Sequence, residues 1–260
     1  MDLTTIAVPH TLTHLRSLLP EPPARILEVG CGRGALAAAL MDMGYQVTGV
    51  DRDAEAVKAA TERGVLAVHA DVHDISGEHD VVMFTRSLHH AKSLDGILER
   101  AVELLAADGQ VIIEEFAWER VDHRVAGFLY DNRAMLVAAG LLDADHPSGD
   151  LLDAWIAGHN SMHQGSAMLA ALAGVGANVV AVPASILWRL VDGRGGIWIE
   201  PGTRARNVLD AMREAEERRI RVGELPPVGL LVSASLTNSY KRSYAARPVG
   251  VGAGPPAHPG

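Results

Sequence analysis

The sequence has 260 residues, 48% of them hydrophobic and 21% charged, which is the composition of a globular protein rather than a disordered or fibrous one. The formal net charge is −9, which argues against a general nucleic-acid binder because such proteins usually present a basic surface. The single cysteine excludes both an internal disulfide framework and a zinc site built from cysteines of this chain.

No targeting or membrane segment is recognisable in the sequence. The first dozen residues lack the basic and apolar regions of a signal peptide. No uncharged apolar run reaches the ~18 residues that a membrane span requires. We therefore expect a soluble protein located in the cytoplasm.

Strand-like and helix-like segments alternate through the first half of the chain. Leucines at helical spacing predict a helix over 9–20, which prolines then terminate. Predicted strands follow at 25–29, 46–50, 65–68, 80–84 and 110–114, and predicted helices at 35–43, 54–63 and 94–106. Strands that alternate with helices across short loops indicate βαβ units and therefore a parallel sheet.

The alternation stops after residue 116. The segment 117–174 shows no convincing strand and predicts two helices, the second with Trp155, His159 and His163 on one face. Two helices in place of one crossover indicate an inserted cap.

The alternation resumes after this insertion. A strand is predicted at 179–182, a polar helix at 204–221 and a last strand at 228–234. The tail from residue 247, rich in Pro, Gly and Ala, is predicted to be disordered.

A glycine-rich segment, EVGCGRG at 28–34, follows the first predicted strand. Glycines at such a turn allow a sharp bend and a close ligand. Two interpretations compete. The spacing is GxGxG with a preceding acid, but Ala35 also allows a loose match to the GxGxxG dinucleotide loop.

Two acids follow at the ends of later strands. Asp51 ends the second predicted strand and would bond ribose hydroxyls under either interpretation. Asp71 follows the third strand, where a carboxylate can accept a hydrogen bond from an adenine amino group.

Taken in order, these segments resemble the motifs of class I S-adenosylmethionine (SAM)-dependent methyltransferases. The segments that resemble the family's first four motifs are ILEVGCGRGALAAAL, VTGVDRD, HADVHDI and DVVMFTRSLHH. The segment LLAADGQVIIEE resembles the one that leads into the family's fifth strand. The resemblance covers residues 24–116, and the strand at 228–234 is similar to the family's reversed last strand. It implies an α/β, Rossmann-like sheet of seven mostly parallel strands, the last antiparallel, plus the helical cap.

The resemblance also implies a domain organisation. We expect a single methyltransferase domain over 1–260, with an N-terminal helix at 9–20 and a cofactor-binding core at 24–116. The cap insertion would span 117–178 and the completion of the sheet 179–240, followed by the tail at 247–260.

The cofactor implied by the resemblance is SAM, with S-adenosylhomocysteine (SAH) as its product. Gly30 and Gly32 would line the methionine portion, Asp51 would hold the ribose, and Thr85 would lie near the amino-acid end. Asp71 and Val72 would face the adenine. The expected cofactor-binding residues are Glu28, Gly30, Cys31, Gly32, Asp51, Arg52, Asp71, Val72 and Thr85. We interpret Cys31 as a small loop residue, because its local sequence contains no group that would activate it as a nucleophile.

Four histidines are the candidate catalytic residues. His89 and His90 follow the fourth strand, whose end faces the ligand site of such sheets. His159 and His163 lie four residues apart on the predicted cap helix. Histidine titrates near neutral pH and suits proton removal, and interior packing is the alternative for each pair. The second pair could also bind a metal, but no further ligands accompany it, so no metal is predicted.

The candidate acceptor-binding residues are Arg86, Tyr130, Trp155 and Trp188. All four tryptophans lie outside the predicted cofactor-binding core, which indicates an apolar acceptor pocket. Packing of the cap on the sheet explains the same distribution equally well.

The leading functional interpretation is a methyltransferase for a small molecule, a secondary metabolite by fold analogy. The alternatives are a SAM-binding protein of the same fold that catalyses another reaction, such as a cyclisation, and a binding subunit. The glycine spacing and the absence of a YxxxK pair argue against a nicotinamide oxidoreductase. The charge argues against a nucleic-acid partner, no membrane partner is expected, and a protein acceptor and a homodimer both stay open.

Overall fold

The computed structural model describes residues 3–193, 196–199 and 202–236. The predicted tail at 247–260 lies outside these residues. Among them, no helix is both long and apolar enough to cross a membrane.

Seven strands form one sheet in the order β3-β2-β1-β4-β5-β9-β7. Strands β1 to β5 are mutually parallel, whereas β9 runs antiparallel to both β5 and β7. The seven strands are β1 (Arg25–Val29), β2 (Gln46–Asp51), β3 (Leu66–His69), β4 (His79–Thr85), β5 (Leu105–Phe116), β7 (Ala177–Ala184) and β9 (Gly229–Leu236). The predicted seven-stranded fold with a reversed last strand is confirmed.

Two short strands that the sequence analysis did not predict form a separate pair. β6 (Leu142–Asp143) runs antiparallel to β8 (Ile197–Trp198). Two residues are too few to show the alternation of apolar side chains that marks a strand in a sequence.

Eight helices accompany the sheet in the described residues. They are α1 (Leu3–Leu15), α2 (Ala35–Asp42), α3 (Ala54–Glu62), α4 (Leu94–Glu103), α5 (His123–Ala138), α6 (Leu151–His159), α7 (Gly165–Gly174) and α8 (Thr203–Arg221). Side chains of α1, α2 and α3 pack on one face of the sheet, and those of α4 and α7 pack on the other. A third apolar cluster joins α5, α6 and α8 beside β5.

Besides containing the short strand β6, the cap segment differs from its prediction at the second helix. The second predicted helix is divided into α6 and α7 by a turn at 160–164. The backbone N–H of Met162 bonds to the carbonyl of His159 three residues back, and that of His163 bonds to the carbonyl of His89. The helical hydrogen-bond pattern therefore ends at α6, because the chain binds another segment instead.

The helical cap, defined here as α5 and α6, lies against the carboxyl end of β5. The indole N–H of Trp155 donates to the carbonyl of Trp118 (3.0 Å), and that of Trp118 donates to the carbonyl of Met162 (3.2 Å). The rings of Phe116, at the end of β5, and Trp155 meet edge to face, with centroids 6.4 Å apart. These contacts hold the cap at the edge of the sheet where the loops after β1, β2 and β4 also lie.

Two other boundaries differ from the sequence analysis. Helix α1 begins at Leu3 and ends at Leu15, with Pro9 inside it. Helix α4 ends at Glu103, because Leu105 already pairs with His79 and so starts β5 earlier than the apolar run at 111–113 indicates.

Candidate functional site

The glycine loop after β1 has the backbone that its sequence indicates. Gly30, Gly32 and Gly34 all have positive φ angles, of 75°, 53° and 73°, in the region that favours glycine. A Cβ at position 30 would lie 2.5 Å from the Cβ of Ser87, and one at position 34 would lie 2.7 Å from the Cβ of Ala60 on α3. The third glycine of GxGxG is therefore required by close packing against α3.

Asp51, at the end of β2, ties this loop to the neighbouring one. Its Oδ2 accepts from the backbone N–H of Gly32 (2.8 Å), and its Oδ1 accepts from that of Asp53 (2.9 Å). The carboxylate thus lies directly beside the glycine loop at the carboxyl edge of the sheet.

A larger cavity of about 450 Å³ opens at this edge, between the ends of β1, β2 and β4 and the start of α4. The predicted cofactor residues that line it are Gly30, Asp51, Arg52, Asp71 and Val72. The side chain of Asp71 accepts from Nδ1 of His73 at 2.6 Å, and this hydrogen bond lowers the pKa of the Asp71 carboxyl.

A smaller cavity of about 170 Å³ lies on the other side of Gly30 and Arg86, which line both cavities. The predicted cofactor-binding residues that line it include Glu28, Cys31, Gly32 and Thr85. It is strongly polar, because Thr11, Glu114 and Arg189 complete its wall.

Two buried polar atoms of the smaller cavity lack partners among the described residues. Oε1 of Glu28 accepts from the hydroxyl of Thr85 (3.1 Å), but Oε2 has no partner. Nε of Arg86 is likewise buried and unpaired. Burial raises the pKa of Glu28 to about 8 and lowers that of Arg86 to about 10.

A buried ion pair closes the smaller cavity. Nη1 of Arg189 donates to Oε2 and Oε1 of Glu114 (2.8 and 3.0 Å) and to the hydroxyl of Thr11 (2.9 Å). Arg189 belongs to a short turn whose backbone N–H groups at 186, 187 and 188 donate to the buried carboxylate of Glu216. Helix α1, β5 and α8 therefore meet at this wall.

These residues fit SAM. An amino-acid group offers an ammonium and a carboxylate, which match the unpaired acceptor of Glu28 and the unpaired donor of Arg86. The larger cavity presents the carboxylate of Asp51, which is suited to ribose hydroxyls. Asp71 and Val72, the residues expected to face the adenine, line the same cavity. Gly30, at the junction, leaves no Cβ between the two cavities.

Cys31 does not have the environment of a reactive thiol. It is buried, and desolvation raises the pKa of its thiol to about 12. The thiol therefore stays protonated at neutral pH, in agreement with its interpretation as a small loop residue.

His89 and His90 lie on a short 3-10 helix, Leu88–His90, directly after β4. Nδ1 of the buried His89 donates to Oε2 of Glu115 at 2.8 Å. His90 lines the larger cavity, and its ring lies 4.1 Å from that of His89, centroid to centroid. Burial, followed by the neighbouring His89, lowers the pKa of His90.

The expected pairing of His159 and His163 on one helix face is wrong. His159 is the last residue of α6, where its ring stacks on Trp155 with centroids 3.7 Å apart. His163 lies in the turn before α7, and its Nε2 donates to the carbonyl of Ala91 (2.8 Å). The turn at 160–164 removes the helical spacing on which the prediction depended.

The acceptor-binding candidates divide into two groups. Arg86 lines both cavities. Tyr130, Trp155 and Trp188 are buried in the apolar cluster that joins α5, α6 and α8, and they line neither cavity. A role for these three in acceptor binding stays a prediction, as does the catalytic role of each histidine.

Sequence reasoning missed four residues of the site: Thr11, Glu114, Glu115 and Arg189. The two glutamates carried a usable signal, since acids that end a buried strand need partners. Thr11 and Arg189 carried none, because they reach the site only through the fold. No group of three or more potential metal-binding side chains was found in the described part of the chain.

A family model for a methyltransferase domain matches residues 7–182. The chain therefore belongs to the methyltransferase-domain family, whose cofactor is SAM.

Curated relatives match over about a third of the chain. Ubiquinone biosynthesis O-methyltransferase of Pectobacterium atrosepticum is 33% identical over 99 residues, 34% of this chain and 40% of that protein. Nodulation protein S of Azorhizobium caulinodans is 34% identical over 96 residues, 34% and 46% of the two chains. Ribosomal RNA small subunit methyltransferase C of Chromohalobacter salexigens is 42% identical over 98 residues, which are 34% of this chain and 29% of that protein. The matched part is thus less than half the length of each relative.

Solved structures extend the similarity to the whole fold. A SAM-dependent methyltransferase from Mesorhizobium loti has a TM-score of 0.54 at 16% identity, over 86% of this chain and 96% of that one. The plantazolicin methyltransferase BamL, in complex with a desmethyl analogue and SAH, has a TM-score of 0.52 at 15% identity. The match covers 90% of this chain and 85% of that one. At these identities the likeness establishes the fold.

Proposed function

We propose that this protein transfers the methyl group of SAM to a small molecule, in the cytoplasm, and that the acceptor is a secondary metabolite. The observation that carries the proposal is the pair of cavities joined at Gly30 and Arg86. One is lined by the carboxylate of Asp51, and the other contains the unpaired groups of Glu28 and Arg86.

In this proposal the chain's own residues bind and orient. Glu28 accepts from the ammonium of the cofactor, Arg86 donates to its carboxylate, and Asp51 accepts from the ribose. The bound cofactor supplies an activated methyl group on sulfur. The principal task of the protein is then to hold the acceptor close to that group and aligned with it.

The cap and the charge support a small acceptor. The cap lies against the end of β5, so it restricts access to the carboxyl edge of the sheet. A net charge of −9 disfavours a polyanionic acceptor. The named function of the ubiquinone O-methyltransferase relatives is also compatible with a small acceptor.

A nucleic-acid acceptor is the second candidate. The observation that favours it is the relative named as a ribosomal RNA methyltransferase, at 42% identity over 98 residues. The acidic charge of the chain opposes it.

The test uses SAM labelled in its methyl group. Purified protein is incubated with it and an extract of the source cell that retains metabolites, RNA and protein, and small molecules are then separated from macromolecules. We expect label in a small-molecule fraction, and less of it with the Asp51→Ala variant at a limiting concentration of SAM. Label on RNA would support the second candidate, and label on protein would overturn both.

A further inference from the structure

Arg86 carries a positive charge at the junction of the two cavities. Its Nε is buried and unpaired, and no hydrogen bond or ion pair of its side chain is found within the part of the chain that the structure describes. Burial lowers the pKa of Arg86 to about 10, so the guanidinium still carries its charge at pH 7. A charge held away from water without a partner is costly, so its presence here indicates a group kept ready for an anion.

The backbone of Arg86 fixes where this side chain begins. Its φ angle is 55°, and no other non-glycine residue in the described ranges has a positive φ. Such a conformation costs free energy for a residue with a Cβ, so the surrounding contacts must hold it. One of them is the hydrogen bond from the backbone N–H of Arg86 to the carbonyl of Glu114 (2.7 Å). The two residues are thus neighbours, and both line the smaller cavity.

The carboxylate of Glu114 is nevertheless occupied by Arg189. Nη1 of Arg189 donates to both of its oxygens (2.8 and 3.0 Å), and the hydroxyl of Thr11 donates to Oε1 (3.2 Å). The side chains of Arg189 and Glu114 are only 5% and 8% exposed, so this ion pair is formed away from water, where the attraction is strong. The negative charge of Glu114 is therefore neutralised by Arg189 and not by Arg86.

The other acidic groups that act electrostatically on Arg86 are engaged as well. Glu115 accepts from backbone N–H groups and from Nδ1 of His89 (2.8 Å), and Asp192 accepts from an indole N–H (3.2 Å). Burial raises the pKa of Glu28 to about 8, so this carboxyl is mostly protonated at pH 7 and offers little negative charge. The guanidinium is thus left free for an anion that enters the smaller cavity.

We propose that Arg189 is a positioning residue: by occupying Glu114 it keeps the guanidinium of Arg86 free, so that the smaller cavity selects a cofactor that retains its α-carboxylate. This inference rests on the proposed function and specifies the group of the cofactor that the site recognises. Arginine suits a carboxylate because it binds one through charge-assisted hydrogen bonds. Arg189 lies beyond residues 7–182, which the family model matches, so this contact is not part of the matched domain.

The test compares two ligands that differ in this one group, by calorimetry at pH 7. They are SAH and decarboxylated SAH, the analogue that lacks the α-carboxylate. We expect the wild type to bind SAH at least about tenfold more tightly, because the analogue leaves Arg86 without a partner. This ratio of affinities, called the carboxylate selectivity here, is the quantity that the variants should change.

Arg189→Met should release Glu114 to bind Arg86. We then expect SAH to bind at least about tenfold more weakly, and decarboxylated SAH to keep its affinity within about twofold, so that the carboxylate selectivity is lost. General damage to the cavity would weaken both ligands alike. If Arg189→Met does not fold, Arg189→Gln replaces it with the same expectation, because its amide can still donate to Glu114 but does not neutralise it.

The double variant Arg189→Met with Glu114→Gln removes the competing carboxylate too. No buried charge is then left unpaired by the loss of Arg189, and the carboxylate selectivity should return to within about threefold of the wild type. Lost selectivity in the double variant would mean that Arg189 itself binds the ligand, and would overturn the inference.

Arg213→Met is the matched control. Nη1 of Arg213 donates to Oε1 of Glu217 on the same helix (2.7 Å), and this ion pair lines neither of the two cavities. The control removes an arginine from an ion pair in the same way, and it should bind both ligands as the wild type does.

The outcomes separate this inference from the proposed function. If folded wild-type protein does not bind SAH, the proposed function fails. If it binds SAH and decarboxylated SAH equally well, SAH binding stands and the carboxylate selectivity is overturned. If the wild type is selective and folded Arg189→Met or Arg189→Gln is equally selective, the role of Arg189 alone is overturned.

Discussion

One carboxylate, that of Asp51, holds the glycine loop and faces the cavity proposed for the cofactor. It accepts from Gly32 and Asp53, and it also lines the larger cavity. Its loss should therefore remove a ligand contact and loosen the glycine loop at once.

For Asp51→Ala we expect at least tenfold weaker binding of SAH by calorimetry, because a lost bond to a buried partner costs ~1–3 kcal/mol and ~1.4 kcal/mol is tenfold. Asp42→Ala, at the exposed end of α2, is the control and should bind normally. Unchanged affinity in Asp51→Ala would remove Asp51 from the site.

Glu28 should make stability depend on pH in an unusual direction. Its pKa is about 8 in the fold against 4.5 for the free side chain, so the folded state binds more protons between these values. Stability should therefore fall as pH rises from 4.5 to 8, with a contribution of up to ~1.4 kcal/mol per pH unit.

Glu28→Gln removes this contribution. Chemical denaturation across the range should show a flatter dependence on pH in the variant, with Glu78→Gln, an exposed side chain, behaving as the wild type. Equal slopes in Glu28→Gln and wild type would mean that Glu28 is solvated, in conflict with its burial.

At the scale of single residues, a role could be predicted from the sequence when the residues involved lie close together along the chain. Gly30, Gly32 and Asp51 were recognisable because their roles depend on neighbours along a strand and its loop. The contact of Glu115 with His89 joins positions 26 residues apart, and that of Arg189 with Glu114 joins positions 75 apart. Such pairs need the sheet order before they can be proposed.

The turn between α6 and α7 is the element that connects the cap to the site. His163 makes two bonds to the segment after β4: its backbone N–H to the carbonyl of His89 (3.1 Å) and its Nε2 to that of Ala91 (2.8 Å). The turn thus braces the 3-10 helix that carries His90.

For His163→Ala we expect a loss of ~0.5–1.5 kcal/mol in unfolding free energy, from one hydrogen bond. Turnover should fall more than cofactor affinity, because the deleted side chain lines neither cavity but holds the turn that connects the cap to the segment after β4. His123→Ala, on an exposed side chain of α5, is the control. Equal losses of turnover and affinity would indicate a general collapse of the cap.

The missed break between α6 and α7 has a physical reason. Apolar residues continue at helical spacing across 152–169, so periodicity alone favours one helix. The helix ends because the backbone of His163 bonds outside it, a tertiary contact that no local pattern encodes. Segments such as β1, β2 and α3 were predictable because their ends are marked locally, by glycines or by Asp53 as N-cap.

Across the whole molecule, the order of motifs was enough to predict the sheet. Each predicted βα unit in 24–116 places the end of its strand at the same edge, so Glu28, Asp51 and Asp71 had to converge there. The second cavity was not predictable, because α1, β5 and the turn at 187–189 close it from distant parts of the chain.

We expect one cofactor to occupy both cavities, with its adenosine in the larger and its amino-acid group in the smaller. Calorimetry with SAH and, separately, with adenosine tests it most directly. We expect SAH to bind at one site per chain and adenosine at least about 100-fold more weakly, since adenosine leaves Glu28 and Arg86 unpaired. Equal affinities would contradict the role of the smaller cavity, and no binding of SAH by folded protein would contradict cofactor binding at either cavity.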